Sequence, residues 1–210
     1  MKYIYSNIIK RLLDIVLSIF FLVLLMPLFL VISLAIMIDS PGPILFRQIR
    51  TGLNGRDFEL FKFRSMHKDN DIFDFNTQDR ITRVGKFIRK TSLDEIPQLI
   101  NIFKGDMSFI GPRPWVSVCY KYFTPGQKKR NNVRPGITGL AQVSGRKDLN
   151  IIKRIELDLE YVDKISFLFD MKIILKTIIV VFNSSDNTRK NYTFSDEMAD
   201  LKENYLNSVT

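Results

Sequence analysis

The stretch that decides the fold is residues 89–114, RKTSLDEIPQLINIFKGDMSFIGPRP. Two adjacent carboxylates, Asp94 and Glu95, stand among the cations Arg89, Lys90, Lys104 and Arg113. Thr91 and Ser92 precede the pair, and an apolar run from Ile96 to Phe103, broken by Pro97, follows it. Ser92 and Glu95 have the S-x-x-E spacing of a capping box. Asp94 serves equally well as an N-cap, with Pro97 then in the first turn, where its missing N–H costs nothing. Both readings put the carboxylates at a helix N-terminus, where amide donors and the dipole favour negative charge and bound phosphate. Taken alone, the spacing describes an ordinary capped helix more often than a site. The second half, GDMSFIGPRP (105–114), tips the balance. Pro112 and Pro114 hold Arg113 in an extended backbone, which does little for packing and suits the capture of an anion.

Upstream, residues 1–14 carry Lys2, Lys10, Arg11 and Asp14, and then 24 consecutive residues, Ile15 to Ile38, carry no charge. The run is too long for a signal-peptide core and lacks a small-residue cleavage pattern, so it is a retained membrane element. A spanning helix is the default for such a run, and prolines inside membrane helices are tolerated. Pro27, however, stands near its middle, where a proline costs about 3 kcal/mol and releases a carbonyl. If the chain turns back there, each half is about 12 residues, roughly 18 Å, too short for a hydrocarbon core of about 30 Å. Both flanks would then face the same side, and both are basic: Lys2, Lys10 and Arg11 before, Arg47, Arg50 and Arg56 after.

Asp39-Ser-Pro-Gly-Pro43 closes this element with turn chemistry. Residues 44–46 and 58–63 read as short strands around the turn Gly52-Leu-Asn-Gly55, with Lys62 and Arg64 at the end of the second. The acidic loop 67–80 contains Asp69-Asn-Asp71, whose D-x-D pattern lacks the α/β nucleotide-binding domain it needs elsewhere in the chain. It also lacks the glycine and closing glutamate of an EF-hand, and it reads as a solvated loop. Val84 to Lys90 is a short basic amphipathic stretch. Trp115 to Phe123 is aromatic-rich, with Tyr120, Tyr122 and Phe123 as core residues or interfacial anchors. The run Lys128, Lys129, Arg130, Arg134 reads as a solvated face, and Arg134 and Arg146 bracket a turn-rich Pro135–Gly139. A helix is expected over 150–164. A second apolar element, 165–182, has Lys172 and Lys176 on one face, which fits a helix lying in a membrane interface. From Asn183 onward the composition turns polar, and a loose tail with at most a short helix at 195–206 is expected.

A net charge of +9 over 210 residues suits an anionic membrane face, phosphate-bearing substrates or nucleic acid. The single Cys119 excludes an internal disulfide, and one Cys with one His, His67, argues against a zinc site; a hard cation on carboxylates stays open. A carboxylate pair among cations can attack phosphorus and form an acyl phosphate if the charge on the phosphate oxygens is neutralised. Asp94 is the candidate nucleophile and metal ligand. Glu95 is a candidate to orient it, hold the metal or deprotonate an acceptor. A membrane-anchored basic adaptor for acidic lipids or nucleic acid is the alternative. It would need no carboxylate pair, and the interleaved basic–aromatic platform of single-strand binders is missing. One or two apolar elements are too few for a transporter.

Five motifs in order, KFRSM (62–66), SLDE (92–95), GDMSFIGPRP (105–114), RPGITGLAQVSGR (134–146) and ELDLEYV (156–162), resemble the bacterial sugar transferases, the small monotopic phosphoglycosyl transferases. The resemblance implies an α-rich α+β protein. Residues 1–40 would be a re-entrant helix-break-helix anchor and residues 41–182 the transferase domain on the cytoplasmic face of the bacterial inner membrane. The interfacial helix would be 165–182 and the polar tail 183–210. It implies Asp94 and Glu95 as the catalytic dyad, Asp94 on Mg2+, and Lys62, Arg89, Arg113 and Arg146 on substrate phosphates. The implied substrates are a UDP-sugar and polyprenyl phosphate, with no nucleic acid. Downstream glycosyltransferases would be partners, and there is room for a homodimer. Arg134, Asp158 and Tyr161 match family positions without an assigned role. The family's usual Ser-Pro at the membrane break is Met26-Pro27 here, and methionine cannot satisfy a freed backbone group as serine can.

Overall fold

The uncharged run folds as two helices. In the computed structural model, which describes residues 4–67, 80–145, 149–183 and 194–209, helix α1 (Tyr5–Leu24) opens with a π turn and is regular from Lys10. Helix α2 (Met26–Asp39) follows after one residue, bent by 60°. The break falls at Leu25 (φ −91°, ψ 3°), and Pro27 sits in the first turn of α2. There a helix has unpaired N–H groups in any case, so the proline needs no serine beside it to start the second helix. Among the described residues no single helix is long and apolar enough to cross a membrane.

Helix α1 is inside out. From Lys10 onward its buried residues are Lys10, Asp14 and Ser18, at i, i+4 and i+8, whereas Leu12, Val16, Phe20, Val23 and Leu24 are exposed. Asp14 accepts from Ser108 Oγ (3.0 Å) and from the Phe109 amide (3.1 Å). Lys10 meets Asp170 at 2.5 Å, and Arg11 donates to the carbonyls of Ile102 and Phe103. The helix is thus fastened to the protein by polar groups that would be costly to bury unpaired.

Strands β1 (Leu45–Thr51) and β2 (Asp57–Phe63) pair antiparallel, from Leu45 opposite Phe63 to Thr51 opposite Asp57. Their turn, Leu53–Gly55, puts Asn54 and Gly55 in the left-handed region. Both faces of β2 are covered. Leu60 packs with Leu99 and Ile102 of α4 (Gln98–Lys104) and with Met107. Phe63 packs with Ile32 and Ile36 of α2 and with Ile88 of α3 (Arg83–Lys90), its ring 4.6 Å from that of Phe29. Arg64 does not share the site with Lys62; it is buried and donates to the carbonyls of Ser40 and Pro41, closing the end of α2.

Two distant motifs meet in a small parallel pair, β3 (Ser108–Ile110) with β4 (Gly136–Thr138). Between them lie the short helices α5 (Ser117–Tyr120) and α6 (Pro125–Lys128). A Cβ on Gly136 would stand 2.1 Å from the Gly111 nitrogen, so this crossing of backbones excludes any larger residue. Helices α7 (Leu140–Val143), α8 (Ile151–Lys164) and α9 (Phe167–Asn183) follow. Helix α9 keeps Asp170 and Ile173 inside and exposes Leu168, Leu175, Ile178 and Ile179, along with Lys172 and Lys176.

The C-terminal helix α10 (Phe194–Val209) is longer than the sequence implied, and it is docked rather than loose. Phe194, Met198 and Leu201 share one face and join a core of Trp115, Cys119, Phe123, Ile151 and Ile155. Glu197 pairs with Arg154 at 2.6 Å. Phe123 is therefore a core residue, and Tyr120 and Tyr122 pack against the same core.

Candidate active site

The carboxylate pair lies in a short 3-10 turn just before an α-helix, without the cap expected for it. Thr82 caps α3, its Oγ accepting from the Gly85 amide, and the helix ends at Lys90. Ser92 then takes a left-handed conformation (φ 58°), which reverses the chain into a single 3-10 turn, Leu93–Glu95. Ser92 makes no side-chain cap, so the capping box expected from S-x-x-E does not form, and Asp94 is not the N-cap either. Pro97 is the residue before α4. Leu93 and Ile96 pack into the core with Phe63 and Ile88, while the carboxylates between them meet the cations.

Lys62, at the end of β2, places Nζ 2.6 Å from Glu95 Oε1 and 3.7 Å from Asp94 Oδ2. Arg113 brings a guanidinium nitrogen to the same Glu95 oxygen at 2.9 Å. The neighbouring carboxylates are pushed in opposite directions. Burial alone would raise Glu95, but the Arg113 guanidinium and the Lys62 ammonium hold it well below the usual carboxylate range. Burial raises Asp94, Lys62 offsets this only in part, and the charge of Glu95 adds to it. Such a split separates roles. Glu95 stays ionised, is a poor proton acceptor and holds two cations in place; Asp94 keeps the more basic oxygens and has no close donor among the described residues.

Arg89 is exposed at the end of α3 and acts on Asp94 through space. Arg146 and the Asp69–Asp71 pattern lie outside the described residues. Arg134 donates to the Gly105 carbonyl at 3.0 Å. Asp158 pairs with Arg130 at 2.6 Å, both buried, so the run 128–134 is not simply a solvated face. Arg130 also donates to the Arg113 carbonyl at 2.7 Å. Tyr161 donates to Asp170 (2.8 Å) and to the Ile110 carbonyl (3.2 Å), and Asp170 accepts from Tyr5 as well. Sequence reasoning missed Arg130 and Arg50. Arg50 had counted only as a basic flank, but it lies beside Lys62 and Arg113 in a small polar pocket.

The model for bacterial sugar transferases matches residues 5–184. The chain belongs to the bacterial sugar transferase family. It is 42% identical over 189 residues to the UDP-glucose:undecaprenyl-phosphate glucose-1-phosphate transferase of Escherichia coli, a match covering 84% of this chain and 41% of that protein. It is 39% identical over 191 residues to the uncharacterized sugar transferase EpsL of Bacillus subtilis, covering 90% and 95%. The Caulobacter vibrioides protein named for the same glucose-1-phosphate transfer as the E. coli one is 42% identical over 181 residues, covering 80% and 68%. The chain thus spans about two fifths of the E. coli relative and nearly all of the Bacillus one. Helix α10 lies beyond the residues that define this sugar transferase as a family member.

Among the described residues of the sugar transferase no three His, Cys, Asp or Glu side chains gather as a metal cage. Magnesium does not need one, since it is bound through one or two carboxylates with substrate phosphates and water. Asp94, its nearest cation 3.7 Å away, fits that role. Glu95 fits it less well, with Oε1 already shared between Lys62 and Arg113.

Proposed function

We propose that the protein transfers a sugar 1-phosphate from a UDP-sugar to polyprenyl phosphate, giving polyprenyl diphosphate-sugar and UMP, by way of a covalent intermediate on Asp94. The observation that carries this reading is the geometry of Asp94, whose nearest cation among the described residues is Lys62 Nζ at 3.7 Å, beside a Glu95 held by Lys62 and Arg113. The names of the E. coli and Caulobacter relatives support the substrate classes. An Asp94 oxygen attacks the phosphorus that carries the sugar. The bond from that phosphorus to the bridging oxygen breaks, and UMP leaves with the electron pair. An oxygen of the lipid phosphate then attacks the same phosphorus, and the Asp94 carboxylate is released. Lys62 and Arg113, held by Glu95, face the charge that develops on the phosphoryl oxygens. A magnesium ion on Asp94, when bound, supplies further neutralisation of the diphosphate.

In the direct test, the protein in detergent is given a panel of UDP-sugars with polyprenyl phosphate and magnesium. Multiple-turnover UMP release that depends on the lipid, on magnesium and on the sugar is expected, with no more than about one equivalent released when the lipid is left out. No release with any UDP-sugar would overturn the reading. Arg113→Ala should cost about 2–4 kcal/mol of transition-state stabilisation, as loss of one electrostatic donor does. Arg89→Ala should cost less, because Arg89 makes no direct contact with the pair. The kcat/KM values of the two variants check this order.

The inside-out surface of α1, the bent pair and the apolar face of α9 support a re-entrant anchor with both ends on the cytoplasmic side of the inner membrane. That depth suits a substrate whose polyprenyl tail stays in the bilayer. Cysteines at Tyr3 and Arg47 should both label from the cytoplasm. Pro27→Ala should shift part of the population towards a spanning form, because the hydrogen-bond ladder could then run through. External labelling of Tyr3 in the unaltered protein would exclude the re-entrant arrangement.

A further inference from the structure

The pocket beside the carboxylate pair holds more positive charge than the pair answers. Its lining is Arg50, Leu60, Lys62, Gln98, Arg113 and Pro114. Lys62 and Arg113 share Glu95. Arg50 instead donates to two neutral oxygens, the Pro114 carbonyl at 3.1 Å and Gln48 Oε1 at 2.5 Å, and its Nε is buried with no partner among the described residues. Burial, and then the neighbouring Arg113 guanidinium, bring the Arg50 pKa down to about 10. Two guanidiniums side by side, of which only Arg113 pairs with a carboxylate, repel each other, and an anion between them reverses the sign of that interaction.

The position along the hairpin separates Arg50 from the anchor. Phe63, next to Lys62, packs on Phe29 of α2. Arg50 pairs with Phe58, four residues further along β2 from Lys62, or about 13 Å at the rise of a strand. The order along the site is therefore anchor, Lys62 with the carboxylates, then Arg113 and Arg50. A phosphate tethered to the bilayer arrives from the anchor side; a soluble nucleotide fills the far side.

We propose that Arg50, with Gln98 and Arg113, forms the subsite for the nucleotide-side phosphate of the donor, the group that departs as nucleoside monophosphate. The assignment rests on the transfer reaction proposed above. Lys62 is left to the sugar-bearing phosphate, next to Asp94. Arg50 is then a binding residue for the leaving group, which keeps UMP neutralised as the bond to the sugar-bearing phosphorus breaks.

The test uses the full chain in detergent and four probes: UMP, uridine, inorganic pyrophosphate and a short-chain polyprenyl phosphate. Arg50→Gln should weaken UMP binding about 10- to 100-fold, the scale of one hydrogen-bonded charge. It should leave uridine affinity and the KM for the lipid phosphate unchanged. Arg50→Lys, which keeps the charge and loses the fork, should fall between. Arg50→Met keeps the stem and serves the same comparison if the glutamine variant melts early. Wild-type UMP affinity in a folded Arg50→Gln or Arg50→Met variant would overturn the subsite. So would a loss confined to the KM of the lipid phosphate, which would give the pocket to the acceptor. If the unaltered protein binds neither UMP nor uridine, yet pyrophosphate binding still falls in Arg50→Gln, the diphosphate subsite stands and the uridine-donor reading falls instead.

Discussion

Asp94→Asn is expected to abolish both halves of the transfer, with turnover falling on the order of 10⁴- to 10⁶-fold, the scale seen when a nucleophile is removed. The amide is neither a comparable nucleophile nor a charged metal ligand, and its shape is nearly that of the carboxylate, so folding should survive. The argument depends on the contrast with Glu95. Lys62 and Arg113 stabilise the Glu95 charge, which makes that carboxylate a weak nucleophile, while among the described residues Asp94 has no donor nearer than 3.7 Å. The unaltered protein, given UDP-sugar and magnesium without lipid, should release about one equivalent of UMP and retain sugar phosphate on the protein, with ping-pong kinetics once lipid is added. Glu95→Gln should still form some adduct more slowly, because it loosens the cations and leaves the nucleophile in place. Direct attack by the lipid phosphate in a ternary complex predicts intersecting kinetic lines and no label without lipid. Absence of an adduct under conditions where lipid restores full turnover would end the covalent mechanism and leave the transferase reading intact.

What the sequence disclosed, and what it withheld, follows the range of the interactions involved. The hairpin was legible because alternation and a Gly-x-x-Gly turn are local, although β1 runs on to Thr51, beyond the expected 44–46. The association of Lys62, Arg113 and the carboxylates came from motif resemblance, and the ion pairs realise it over separations of 18 and 33 residues. The capping box failed because S-x-x-E says nothing of the Ser92 backbone. Its left-handed turn lies between Ile88, which is buried, and Leu93, which packs against the same core. Arg130 was lost in a basic run because its partner, Asp158, is 28 residues away and neither a period nor a motif ties it to its aromatic neighbours Trp115 and Phe123. Helix α10 read as a polar tail because only one face in three is apolar, and nothing local reveals the Trp115 core that this face covers. Lys10 and Asp14 looked like the charged flank of an apolar run. They became the buried fastening of α1 only once β3 and α9 were in place.

Asp158→Ala is expected to lower stability by about 3–5 kcal/mol, because removing one partner of a buried pair leaves an uncompensated charge. For a chain of this size that corresponds to a fall in thermal midpoint of roughly 6–20 °C. Arg130 and Asp158 are each 2% exposed, joined at 2.6 and 3.0 Å, and the guanidinium lies against the rings of Trp115 and Phe123. Water cannot easily take the place of the lost carboxylate there. The double variant Arg130→Met, Asp158→Leu should recover much of the stability, since an apolar pair of similar volume often equals a buried ion pair. It should not recover turnover. Arg130 also donates to the Arg113 carbonyl at 2.7 Å, and this bond fixes the backbone from which the Arg113 guanidinium reaches Glu95. With that donor gone, Arg113 can shift, and a misplacement of about 1 Å costs up to about 10²-fold in rate. The expected pattern is a restored melting curve with a depressed kcat, weakened binding of UMP and near-normal binding of uridine. A double variant that melts and turns over like the unaltered protein would confine the Arg130–Asp158 pair to holding α8 in place and remove it from the positioning of Arg113.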